Sequence, residues 1–211
     1  MFARILVSLS LLCVSSLPVL AKNGPAEFGE ISVYLKGDYG SSPALRAAFT
    51  AEVNRLMGSL GYHVNWPYHA INVPGTLVVV TAEGSCSPNT DESGSPENKP
   101  LASTQDSNGH VLPFVWIKCG DLNSLLAPGL RAYPAAQDAK YGRALARVLA
   151  HEFFHILAQT PHHAESGIAQ SAVSERNLLG LSFEFDEETH ALLRINRKIA
   201  SNAPASSSTG F

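Results

Sequence analysis

Two histidines stand four positions apart, with a glutamate directly after the first, in His151-Glu152-Phe153-Phe154-His155. On a helix, four steps carry a side chain to about 40° from its starting direction, one turn further along the axis. Both imidazoles then reach one metal ion. Glu152 falls on the adjoining flank, where its carboxylate can approach a water on that ion without being a ligand. A catalytic centre of this kind needs a third protein ligand and an open position. Pro161 disfavours helical geometry at Thr160, so the helix is expected to stop near Gln159 and the chain to turn back. His162 or His163 then supplies the third ligand from a loop. Adjacent side chains of an extended segment point opposite ways, so one binds and the other does not. Glu175, twenty residues after His155, is a competing donor, although after Ser174 it also suits a helix N-terminus. His63, His69, His110 and His190 have no ligand spacing. Tyr133, Tyr141, Phe153 and Phe154 could line a cleft, but aromatics beside a buried helix commonly belong to the core.

The elements that must position these groups are visible in the apolar periodicity. Residues 30–36 (EISVYLK) alternate as a strand with one buried face. Ser42-Pro43 reads as an N-cap and first helical residue. Leu45, Phe49, Val53, Leu56 and Met57 then recur at helical spacing, which predicts an amphipathic helix to about Gly58. Residues 62–66 form a short second strand. Residues 76–81 (TLVVVT) form a third, apolar throughout and therefore central. The stretch 84–110 is rich in Ser, Pro, Asn, Asp and Gly and reads as a polar insertion loop. Residues 111–118 (VLPFVWIK) are a fourth strand, whose Pro113 argues for an edge or a bulge. A short helix over 121–126 precedes the long one, expected from about Ala135 to Ala158 and buried in its second half. Ser174 caps a helical turn ending at Leu179, and Asp186 caps a last helix reaching about Ile199.

The chain has 211 residues, of which 45% are apolar and 16% charged, enough to build one domain around a real core. The net charge of -3 and the lack of a basic run speak against nucleic acid as a partner. Arg4, the apolar run from Ile5 to Val14 and the segment Val19-Leu20-Ala21 read as a signal peptide cleaved after Ala21. The mature protein is then secreted or periplasmic, without stable membrane insertion. Cleavage removes Cys13 and leaves Cys86 and Cys119, which in an oxidising compartment are expected to pair. The expected organisation is a signal peptide over 1–21, a domain over 22–200 and a disordered Ser- and Ala-rich tail over 201–211.

The stretch HEFFHILAQTPHH resembles the zincin metallopeptidases, and within them the metzincins, where a Gly turn and a third His follow H-E-x-x-H. The order of strand, helix, strands and active-site helix over 30–158 is similar as well. This chain departs from the metzincin pattern in three places. Ala158 stands at the Gly position, Pro161 at that of the third His, and no Met follows Met57 to form a turn beneath the metal. The run further resembles uncharacterised bacterial exported proteins with a HELYH-type helix, a later His and a G-V-A-like segment. His163 and Gly167-Ile168-Ala169 fit that pattern, as do Gly84-Ser85-Cys86 and Cys119.

The resemblance implies Zn2+ held by His151, His155 and His163, with Glu152 as the general base that later protonates the leaving amine. It implies an α+β, metzincin-like fold: a mixed, twisted sheet of about four strands with a backing helix and a long active-site helix. The activity implied is hydrolysis of peptide bonds in a peptide or protein substrate. The alternative is a non-catalytic zinc-binding exported protein on the same scaffold.

Overall fold

A computed structural model describes residues 29–90 and 99–202. The expected signal peptide, the middle of the polar insertion and the expected tail beyond Asn202 lie outside the described residues; the first two residues of that tail, Ser201 and Asn202, belong instead to the last helix. The fold is α+β, with a mixed sheet of five strands. β1 (Gly29–Asp38) is followed by α1 (Pro43–Ser59), β2 (Tyr62–Asn65), β3 (Thr76–Ser85), β4 (Ala102–Ser107) and β5 (His110–Lys118). α2 (Cys119–Leu130), one 3-10 turn, α3 (Gln137–Ala158), α4 (Glu175–Leu179) and α5 (Glu187–Asn202) complete the order. The strands lie in the order β2-β1-β3-β5-β4. All neighbours run parallel except β4, which pairs antiparallel with β5.

Local chemistry explains most of these boundaries. The Ser42 hydroxyl accepts the Leu45 N–H and Pro43 opens α1, as the N-cap expectation requires. Leu45, Phe49, Val53 and Leu56 are buried, so one face of α1 is committed to the core beneath the sheet and α3. Each such side chain contributes about 1.5–3 kcal/mol through burial. Ser174 and Asn177 form a reciprocal cap on α4, and the Asp186 carboxylate accepts the Thr189 N–H at the start of α5. Cys86 and Cys119 form a disulfide with their Cα atoms 4.8 Å apart. It ties the end of β3 to the start of α2. No described helix is long and apolar enough to cross a membrane.

One expectation is corrected, and the choice that Pro113 left between an edge and a bulge is decided. The polar insertion is not a loop throughout: its second half is β4, which with β5 makes a hairpin and brings the sheet to five strands. Of β4 only Ala102 is buried, so no alternation of apolar residues marks it. The turn Asn108-Gly109 has positive φ at both residues, which suits a two-residue hairpin. β5 is therefore not an edge strand. Pro113 sits instead at an irregularity, where the register passes from Thr104↔Val115 to Asp106↔Val111. Its missing N–H costs nothing there, because the pairing with β3 begins only at Phe114.

Candidate metal centre

α3 carries the His-Glu-Phe-Phe-His run in its last two turns, with Phe153 and Phe154 turned into the core. That leaves His151, Glu152 and His155 toward a cleft of about 920 Å³. The helix ends at Gln159, which takes a left-handed conformation at φ 51°. The Gln159 side chain holds that turn by donating to the carbonyls of Val111 and Ile156. The chain then folds back across the end of α3. One ligand atom from each of His151, His155 and His163 lies within 4.8 Å of the others, a group that could hold a metal ion.

The hydrogen bonds fix the tautomers. A carbonyl oxygen only accepts, so Nδ1 of His151 donates to Ile168 O and Nδ1 of His155 donates to Thr160 O, each at 2.8 Å. In a neutral ring the other nitrogen then carries a lone pair. The two Nε2 atoms face each other at 3.1 Å. Two lone pairs at that separation repel unless a cation lies between them. Two nitrogens on one tetrahedral zinc are about 3.3 Å apart, given bonds of 2.0–2.1 Å. The donor set therefore fits a metal ion of the kind that takes imidazole ligands.

Burial favours neutral rings as well. It pulls His151 down to about 4, against the Ile168 hydrogen bond, with His155 and His163 adding to the fall. It also lowers His155, against the Thr160 bond. Proton competition at His151 thus sets in only well below the ordinary range of imidazole. Glu152 moves the other way. It is 4% exposed, and burial raises it to about 7 although the Thr104 hydroxyl donates to its Oε2 at 3.1 Å. A carboxyl poised near neutrality can accept and return a proton.

The remaining expected residues stand elsewhere. His162 is exposed and outside the histidine group; its backbone N–H donates to the Thr160 hydroxyl. Glu175 is also outside the group and packs beside Gly129 of α2. His63 pairs with Glu30 on the surface, while His69 and His110 are exposed. Tyr141, Phe153 and Phe154 are core residues, and Tyr133 stacks under the Lys140 ammonium.

Comparison of the chain with protein-family models, curated proteins and solved structures finds no match among any of them.

What the site can do is thus decided by its own groups, and several of these have no sequence signature. Thr104 on β4, and the carbonyls of Thr160 and Ile168, touch the three central side chains directly. Arg147, one turn before His151, is 1% exposed. It donates to Glu52 at 2.8 Å and to the carbonyls of Asn177, Leu178 and Gly180, each at 2.9 Å. It locks α3 to α1 and to the end of α4. The Asn-Gly pair before β5 was the one available signal for β4, and hence for Thr104.

Proposed function

We propose that this chain is an exported zinc-dependent metallopeptidase of the zincin type, metzincin-like in arrangement. One observation carries the proposal: a buried carboxylate, Glu152, faces the same cleft as a three-histidine group that could hold a metal ion. A purely structural zinc site has no use for such a base. His151, His155 and His163 would hold the ion, leaving a position for water. Zinc, when bound, supplies a water of lowered pKa and polarises a carbonyl.

The protein's own groups do the rest. With Oε2 engaged by Thr104, Glu152 Oε1 takes the proton of the attacking water and returns it to the leaving amine. The backbones at Ile168 and Thr160 keep the rings from turning. β4 is the edge of the described sheet beside the cleft, and its outer backbone edge offers an extended peptide a strand to pair with. The disulfide supports an oxidising compartment, outside the cell or in a periplasm.

The test is a peptide library offered to the purified zinc-loaded protein, with cleavage read by mass spectrometry. Wild type should cleave. Glu152→Gln should keep its zinc and lose hydrolysis by about 10²–10⁴, the usual contribution of a general base. Equal cleavage by both would refute the mechanism. Tight zinc binding with no cleavage by wild type would make the protein a non-catalytic zinc binder.

A further inference from the structure

The two helical ligands are anchored differently. His155 is fixed by Thr160, five residues away, in the turn that ends its own helix. His151 is fixed by Ile168, seventeen residues away, in a separate turn. That second turn also reaches the third ligand. Ala164, directly after His163, donates its N–H to Ala169 O at 2.9 Å. The successive carbonyls of Ile168 and Ala169 thus serve His151 and the neighbour of His163.

The turn is itself seated on the segment leading into α5. Ile168 N–H donates to Glu184 O at 2.9 Å, and the Ser166 hydroxyl donates to Asp186 Oδ2 at 2.9 Å. Ile168 and Ala169 are fully buried, and Phe183 and Phe185 bury the seat. Gly167 makes the approach possible. Its φ is +70°, and a Cβ there would lie 2.6 Å from Glu184 O and 2.9 Å from Asp186 N. Any other residue must push the turn off its seat or change its backbone conformation.

We infer that the turn over residues 166–169, seated on Glu184–Asp186, is the positioning device for His151 and His163, and that Gly167 is its positioning residue. The inference rests on the metal-centre part of the proposed function and not on hydrolysis. Lifting the turn removes the Nδ1 partner of His151 and the tether of His163 together, while His155 keeps Thr160. One substitution should therefore spoil two ligands and spare the third.

The experiment measures affinity for Zn2+ by chelator competition and records the visible ligand-field spectrum of the Co2+ form, using the full mature chain. Gly167→Ala should weaken zinc binding by about 10–100-fold, the usual cost of losing a partner behind a metal ligand. Its Co2+ spectrum should lose the intensity of a fixed tetrahedral site. Gly109→Ala is the control: φ is +78° there too, but the space around it is open and the residue lies in the β4–β5 turn. It should keep wild-type zinc affinity and spectrum. If Gly167→Ala does not fold, Ser166→Ala decides, since it removes the hydroxyl bond to Asp186 and leaves that of the Ser166 backbone. It should weaken zinc binding by about threefold, as loss of one hydrogen bond allows. A folded Gly167→Ala with wild-type affinity and spectrum, or equal losses in Gly109→Ala, would overturn the inference, as would unchanged affinity in Ser166→Ala. Wild type that binds neither metal would overturn the metal centre and this inference with it. Wild type that binds zinc but cleaves nothing would overturn the peptidase proposal alone, and the Gly167 result would still stand.

Discussion

The cleft has two walls of opposite character. One is α3, apolar on most sides, buried from Ala144 to Ala150 and fastened by Arg147 to α1 and to α4. The other is β4, polar, at the sheet edge and largely exposed. The helix wall brings a carboxylate and two imidazole rings that could hold a metal ion; the strand wall brings Thr104 and the outer backbone edge of the described sheet. The difference separates two tasks. A metal centre needs ligands held still, which packing provides. Recognition of an extended chain needs backbone groups left unpaired, which a well-packed element cannot offer.

The largest effect should come from loosening the helix wall. Glu52→Ala leaves the Arg147 guanidinium buried with carbonyl partners but no counter-charge. Unfolding by urea should show a loss of about 3 kcal/mol, the lower end for breaking a buried pair. A loss as small as that of an exposed pair would mean that Arg147 does not fasten α3.

A comparable effect comes from the carboxylate between the walls. Burial raises Glu152 from 4.5 to about 7. Between those values the folded protein keeps the proton while the unfolded chain gives it up. Stability therefore falls as pH rises through that window and is level above it. Glu152→Gln cannot ionise. Stripped of metal by a chelator, it should match wild type below pH 4.5 and exceed it by up to about 3 kcal/mol above pH 7. Equal pH profiles would show that the carboxyl is not buried as described.

The strand wall should give the smallest change. Thr104→Val keeps the shape of β4 and removes the one hydroxyl that favours the Glu152 carboxylate. The acid limb of the kcat/KM profile should move to higher pH by under about one unit, as a bond worth about 1 kcal/mol allows. Zinc affinity should not change. An unmoved limb, or one moved to lower pH, would deny β4 any part in tuning the base.

The same two walls explain what the sequence revealed. α3 was legible because helical periodicity and the His151/Glu152/His155 spacing agree on the same side chains. The stop at Gln159 was legible from Pro161. β4 was not, because a polar edge strand with one buried residue leaves no apolar alternation to read; its local sign is the hairpin pair Asn108-Gly109. Pro113 left an edge or a bulge open, and β5 has the irregularity, with β4 covering the side that an edge strand would leave bare. Residue spacing left His162 and His163 equal as ligands, and resemblance favoured His163. The structure groups His163 with the helical pair through a turn whose anchors, at Ile168 and Glu184, are distant contacts that no local pattern encodes.

If His151, His155 and His163 together hold one zinc ion, as proposed, metal content per chain must follow those three residues. The mature protein and its variants would be purified from a zinc-supplemented export host, dialysed and analysed by inductively coupled plasma mass spectrometry. Wild type, His162→Ala and Glu175→Ala should each carry one zinc per chain, whereas His163→Ala and His155→Ala should lose it under the same dialysis. Zinc retained in His163→Ala together with zinc lost in His162→Ala or Glu175→Ala, or a wild type without metal, would contradict the account.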